Sequence, residues 1–319
     1  MKKELVRLAA DKSGPQKGIA LVLVLWILSL LTIIASSFVF STRTDTVLTA
    51  NLVGQARAEA LADAGVQRAI YGLLKPITDP ALRWQGNGRV HLWEYEGEII
   101  RITLRSESAK IDINTANPEL MKGLLRSAGL DGQALDRLLD ALQDWRDADD
   151  LRRLNGAEKD DYAAAGKTYV PANSNFQTID EMRLVLGMTD AIFRQIKGHI
   201  TVYSGQAGIN STIASREVLL ALPGVDPSSV DAYIASRNLP PGQILPIFPQ
   251  AQAFSAGDGN VLSIVSDVKL SDNSRFIREA VVRVEQKPKQ PVAFLAWRSP
   301  AARLFATEQP NEISQDGKQ

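Results

Sequence analysis

The sequence predicts an α+β fold, and three observations carry the prediction: a long amino-terminal helix, two strand-rich stretches far apart in the chain, and a helix-rich stretch between them. The two strand-rich stretches are expected to form one antiparallel sheet lying against the long helix. The helical stretch then becomes a large insertion within that sheet.

The first element is a run from Ile19 to Thr42 without a charged side chain. At about 1.5 Å per helical residue this is enough to cross the roughly 30 Å hydrocarbon layer of a bilayer. Lys2, Lys3, Arg7, Lys12 and Lys17 precede it, and positive flanks stay cytoplasmic, so the body is expected to face outward. A secretory signal would have a shorter apolar core and a small-residue cleavage site; here Ile19 to Phe40 leads into Ser41-Thr42-Arg43 and further helix-compatible sequence. The abrupt start after Lys17-Gly18 resembles the class III leaders of type IV pilins and type II secretion pseudopilins. That resemblance implies cleavage by a prepilin peptidase between Gly18 and Ile19 and methylation of Ile19; an ordinary signal anchor is the alternative. The pilin pattern has glutamate at the fifth mature position, and this chain has Leu23 there. A carboxylate at that depth is costly unless a neighbour's amino terminus pairs with it. A subunit without it makes no such pairing.

Thr46 to Leu74 is rich in Ala, Leu, Glu, Gln and Arg, and Pro76 is the first proline after it, so the helix continues out of the bilayer. Val47, Leu48, Leu52, Ala56, Leu61, Val66, Ile70 and Leu74 supply an apolar stripe for packing. Arg89 to Arg105 reads as two strands around a turn at Glu96-Gly97-Glu98, with Glu94 and Glu96 on one solvated strand face. Val261 to Gln286 reads as a second strand region turning at Ser271-Asp272-Asn273-Ser274.

Between them, Lys110 to Pro241 repeats a short pattern three times. Asn117 to Leu120 leads to Gly129 and Asp131, Thr178 to Met182 leads to Gly187 and Thr189, and Ser215 to Val218 leads to Gly224 and Asp226. Each copy has a capped helix start, a glycine suited to positive φ and a second capped start. These units look like helix-hairpin-helix, SAM-like repeats. Nucleic-acid hairpins need basic surroundings, but this stretch carries 14 Lys plus Arg against 18 Asp plus Glu. The balance favours a protein-contact or packing role over nucleic-acid binding.

Asp147 to Asp161 places Asp147, Asp149, Asp150, Glu158, Asp160 and Asp161 within fifteen residues, with Asn155-Gly156 allowing the chain to double back. Clustered carboxylates on an irregular loop suit Ca²⁺, which accepts about six to eight oxygens. A solvated acidic loop accounts equally well for the charge alone, and the spacing is not that of an EF-hand. Thiol chemistry is excluded by the lack of cysteine, and no nucleophile elbow, phosphate loop or histidine metal motif is present. His91 and His199 lie far apart beside strand-like residues, so a satisfied structural role is expected for both, and the protein reads as non-enzymatic.

Several motifs in order then bear on family. The Gly18 junction without a fifth-position glutamate is followed by Ile111-Asp112-Ile113-Asn114-Thr115-Ala116, Asp144-Trp145-Arg146-Asp147-Ala148-Asp149, Gly156-Ala157-Glu158, and Thr201-Val202-Tyr203-Ser204 ahead of Ile209-Asn210. Together they resemble the K-type minor pseudopilins of type II secretion, apart from a longer leader and the lack of cysteine. The resemblance implies an inner-membrane, single-pass subunit with a periplasmic body, capping a pseudopilus tip with I-type and J-type minor pseudopilins. It also implies calcium in the acidic stretch, with Asp147, Asp149, Glu158 and Asp161 as ligands; Asp160 and Asp161 are not separated by it. The corresponding domains are a leader over 1–18, a membrane segment over 19–42, a pilin-like α/β body over 43–109 and 242–298, an inserted domain over 110–241 and a disordered tail over 299–319. A minor pilin of a type IV pilus or competence system, and a membrane-anchored DNA-binding protein, are the competing readings.

Overall fold

The computed structural model describes residues 17–76, 83–237, 248–285, 287 and 289–300. The expected leader and tail lie largely outside these residues. The chain forms two compact units, Met1–Ala56 and Arg57–Gln319.

Helix α1 runs over Lys17–Leu74 and crosses from one unit to the other. Among the described residues it is the one helix long and apolar enough to span a membrane, with a mean hydropathy of 2.5 over its most apolar window. Its apolar side chains from Leu21 to Phe40 are exposed, Trp26 by 77%. Such an array is unstable in water and matches the interior of a bilayer.

Within the second unit, α1 packs on a five-stranded antiparallel sheet. The strands are β1 (Asn87–Tyr95), β2 (Glu98–Ser106), β5 (Val261–Lys269), β6 (Arg275–Val284) and β7 (Val292–Arg298), in that spatial order. Strand β2 alternates strictly, so Ile100, Ile102 and Leu104 are fully buried beneath the helix. The β1–β2 turn uses positive φ at Glu96 (50°) and Gly97 (77°), the conformation a two-residue hairpin requires. Glu96 therefore lies in the turn rather than on a strand face beside Glu94. Glu98 opens β2, where it is buried and accepts hydrogen bonds from the backbone and hydroxyl of Ser271.

The packing face of α1 differs from the predicted stripe. Leu61, Val66 and Ile70 are buried, but Ala56 is exposed and Leu74 is 38% exposed. Small residues complete the face: Ala58, Ala62, Gly65, Ala69 and Gly72. A Cβ at Gly65 would come within 2.2 Å of Ser266 Oγ, and one at Gly72 within 2.7 Å of the Trp84 ring. Close approach of helix to sheet selects small residues here, so hydrophobicity alone misplaces the stripe. Arg278 of β6 fastens the contact, donating from Nε to Asp63 (2.5 Å) and from Nη2 to Glu59 (2.6 Å) on α1.

Between β2 and β5 lie the helices α2 (Pro118–Ser127), α3 (Gly132–Arg146), α4 (Lys159–Ala164), α5 (Asp190–Ile196), α6 (Arg216–Leu220) and α7 (Pro227–Ser236). They enclose a separate core that includes Leu120, Leu124, Leu138, Tyr162, Met182 and Phe193. A short parallel pair that the sequence did not suggest, β3 (Ile111–Asp112) with β4 (Ile200–Thr201), adds Ile111 and Ile200 to it. In the three copies of the recurring pattern Gly129, Gly187 and Gly224 have φ of 89°, 92° and 71°. Asn117, Ser215, Thr189 and Asp226 cap by accepting backbone N–H bonds, and the first element of the middle copy is a 3-10 helix, Ile179–Leu184, rather than an α-helix. Phe248 and Ala251 also pack in this core.

Candidate functional site: the acidic loop after helix α3

Helix α3 buries Leu135, Leu138, Ala141, Leu142 and Trp145. Trp145 stacks on Phe176 at 6.2 Å and meets Tyr162 and Tyr169, so the end of the helix is held by an aromatic cluster. On another side of the same turns stand Asp140, Asp144 and Asp147, at helical spacing.

These acids fold the loop back. Asp140 accepts from the backbone (3.0 Å) and side-chain amide (3.1 Å) of Asn155. Asp144 is fully buried and accepts from the Arg153 backbone N–H, with Arg153 Nε 3.3 Å from its Oδ1. A Cβ at Gly156 would lie 1.9 Å from Asp144 Oδ2, so the loop returns only because that residue is glycine. Burial pushes the Asp144 carboxyl up, against the Arg153 and Ala157 backbone donors and with the Asp147 charge adding to the rise.

The sequence-derived candidates divide into two groups. Asp147 and Glu158 turn inward. Asp147 Oδ2 pairs with Arg153 Nη2 at 3.1 Å, while its Oδ1 is buried without a hydrogen bond. Glu158 is 6% exposed; its side chain faces the Asp161 N–H in a reciprocal capping box, yet neither oxygen closes a hydrogen bond. Burial, reinforced by Asp144, Asp147, Asp150 and Asp149, pushes its carboxyl up to about 7. Asp149 and Asp161 serve the loop backbone instead. Asp149 accepts from Leu151 N (2.9 Å); Asp161 accepts from Glu158 N (2.9 Å) and pairs with Arg152 (3.0 Å). Asp160 is exposed, and Asp150 binds the Asn173 amide at 2.8 Å.

Asp144 was missed as a candidate because an aspartate within an amphipathic helix ordinarily faces solvent. Its spacing to Asp140 and Asp147, together with Gly156 downstream, was the available signal. Three orphaned carboxylate oxygens, two of Glu158 and one of Asp147, suit a hard cation. Among the described residues, however, no three such side chains are arranged to hold a metal as they stand.

The other sequence motifs tie loops together. Asp112 accepts from Asn114 N, Ser204 Oγ and Gly205 N, and Asn114 exchanges two hydrogen bonds with the backbone of Phe176. Arg146 donates to the Ile113 carbonyl. Asn210 joins the insertion to the body through Ser108 O (2.7 Å) and Asp258 (2.9 Å). His91 stacks on Trp84 at 4.0 Å, and His199 Nδ1 lies 3.0 Å from Ser215 Oγ, so both histidines have structural contacts.

Leu23 lies in α1 with 59% of its surface exposed, among other apolar side chains. Gly18 and Ile19 fall at the start of the same helix, where the described structure begins.

Comparison with known proteins agrees with the motif order. Residues 102–205 match the family model described as type II secretion system (T2SS), protein K. The type II secretion system protein K of Pseudomonas aeruginosa is 24% identical over 298 residues, covering 84% of this chain and 89% of that protein. The protein of the same name from Klebsiella pneumoniae is 28% identical over 229 residues, 65% of this chain and 69% of that one. In fold, the chain resembles a chain of the crystal structure of the GspK-GspI-GspJ complex from the enterotoxigenic Escherichia coli type 2 secretion system, with a TM-score of 0.56 at 16% identity over 82% of this chain and 99% of that one. Over most of its length this chain is similar to the type II secretion system protein K of other bacteria.

Proposed function

We propose that this protein is the capping minor pseudopilin of a type II secretion pseudopilus, a non-enzymatic subunit anchored in the inner membrane with its body in the periplasm. The observation that carries the reading is Leu23: with no carboxylate at the fifth position after Gly18, the helix has nothing to pair with the amino terminus of a subunit ahead of it. A prepilin peptidase would cut after Gly18 and leave Ile19 as the methylated first residue. The helical insertion, with its own core, supplies bulk above the pilin-like body and obstructs the stacking of another subunit. Its three glycine-turn units act as helix-hairpin-helix packing modules. Their caps support this over nucleic-acid binding, because the Asp226 carboxylate is held to Ser228 and Ser229 at its helix start and adds negative charge where a phosphate would sit. A complex with the I-type and J-type minor pseudopilins is the expected assembly, and such a tripartite tip would initiate the filament.

The acidic loop fits calcium by the chemistry of its donors. Asp147 and Glu158 would hold the ion, with Asp144 beside them; Asp149 and Asp161 set the loop. A bound cation would neutralise the inward carboxylates and fix the loop against α3.

Copurification from membranes with the I-type and J-type subunits tests the assembly. Recovery of a stoichiometric complex that includes a chain beginning at Ile19 is expected. A chain still carrying Met1 in cells with active peptidase, or no complex when all three subunits are present, would overturn the reading. Salt-sensitive DNA retardation at nanomolar protein would favour the nucleic-acid alternative.

A further inference from the structure

The acidic loop contains its own competitor for a metal ion. Arg153 Nε lies 3.3 Å from Asp144 and Arg153 Nη2 lies 3.1 Å from Asp147, so one guanidinium bridges the two acids that begin the loop. Glu158, 94% buried, faces the Asp161 N–H in a capping box but closes no hydrogen bond at either oxygen, and it is left out of that arrangement while feeling the charge of both. We propose that Arg153 is the resident counter-ion of this site and that a divalent cation enters by displacing its guanidinium from Asp144 and Asp147, recruiting Glu158. The inference rests on the calcium reading above and adds the residue against which the ion must compete.

The geometry makes the exchange feasible. The Arg153 side chain is 43% exposed, so it can swing into water while its backbone N–H keeps its hydrogen bond to Asp144. A guanidinium bonded to carboxylate oxygens and a hard cation coordinated by them make exclusive claims on the same lone pairs. This accounts for two facts at once: the donors suit a cation, yet no three of them are poised to hold one. Arg152 is different. It pairs with Asp161, whose other oxygen caps the Glu158 backbone, and so lies outside the competition.

The test is calorimetric titration of calcium into the detergent-solubilised full chain, with Arg153→Gln, Arg153→Ala, Arg152→Ala and Glu158→Gln as variants. Both Arg153 variants should bind calcium about five- to tenfold tighter than the parent, since the lost pair no longer has to be broken. Arg152→Ala should leave the affinity within about twofold, and Glu158→Gln should abolish binding. Far-UV circular dichroism checks that the variants are folded, and agreement of the Gln and Ala variants separates competition from damage. If Arg153→Gln binds no tighter than the parent while Glu158→Gln loses binding, displacement is overturned and the calcium site stands. If no variant binds calcium at millimolar concentration, both readings fall. Binding by the Arg153 variants but not by the parent would sustain the proposal in its strongest form.

Discussion

Arg278 and Arg153 each hold two carboxylates, and the surroundings of the two differ. Arg278 is buried between sheet and helix, bonded to Asp63 and Glu59, with aromatic faces of Phe276 and Trp297 within 5.1 Å of its guanidinium. Among the described residues Asp63 and Glu59 are the acids that act on it, and both of its hydrogen bonds close on α1. Arg153 sits at the edge of a segment, Asp144 to Asp161, with seven acids and four bases, and three carboxylate oxygens nearby are unpartnered. The same chemical pair is therefore a completed fastening in the body and an incomplete one in the insertion. Where charge is balanced the pair serves the fold; where an excess is buried, it leaves a place for another cation.

The largest effect should come from the completed side. Arg278→Ala removes the guanidinium packed over Trp297 and its bonds to Asp63 and Glu59; because those acids are 38% and 49% exposed, the cost of about 2–3 kcal/mol in denaturant unfolding comes chiefly from lost packing between sheet and helix. Removal of Arg153 should cost less than about 1 kcal/mol, its side chain being 43% exposed. Equal losses at the two sites would break the distinction. Next in size is Gly156→Ala. Its Cβ would collide with the Asp144 carboxylate, so a loss of about 2 kcal/mol and the release of the loop to protease are expected.

How much of this was legible in the sequence follows the same division. The two hairpins were readable because β2 alternates and because Glu96-Gly97 and Asp272-Asn273 demand tight turns. Strand β7 was not, since Val292 to Arg298 lies on a sheet edge and is half-buried on both faces, without a two-residue period. The packing stripe of α1 was misplaced because closeness, set by Gly65 and Gly72, mattered more than side-chain size. In the acidic loop, charge density exposed Asp147 and Glu158. Composition could not say that Asp149 and Asp161 cap backbone, nor that Asp144, on a helix, is the most buried of the acids. Those facts depend on the chain returning past Gly156, which is a tertiary property.

A fourth variant tests the joint between the two cores. Glu107 is 1% exposed and binds Lys110 Nζ (2.7 Å) and Ser263 Oγ (2.8 Å) where the sheet gives way to the insertion. Burial works to raise its carboxyl, but Lys110 with the Thr201 and Ser263 donors outweighs this and leaves it below its ordinary value of 4.5. A depressed folded value means that stability is present above the unfolded value and is lost as pH falls through the folded one. Glu107→Gln should therefore cost about 1–2 kcal/mol at neutral pH, with the gap from the parent closing below about pH 4.5. A gap that stays constant into acid would show that Glu107 acts through packing rather than charge.

The smallest expected effect has the opposite sign, and it sharpens the comparison most. Glu158 is buried among like charges, so in calcium-free buffer its ionised carboxylate opposes folding. Glu158→Gln removes that repulsion and supplies an amide that donates where the carboxylate only accepts. The variant should be more stable than the parent by about 0.5–1 kcal/mol without calcium and should gain nothing when calcium is added, whereas the parent should gain. The matching change in the body, Asp63→Asn, should destabilise at any calcium concentration, because there the carboxylate has a committed partner. A Glu158→Gln variant less stable than the parent in calcium-free buffer would mean that this carboxylate is already satisfied in the folded chain, and the contrast between the two arginine sites would collapse.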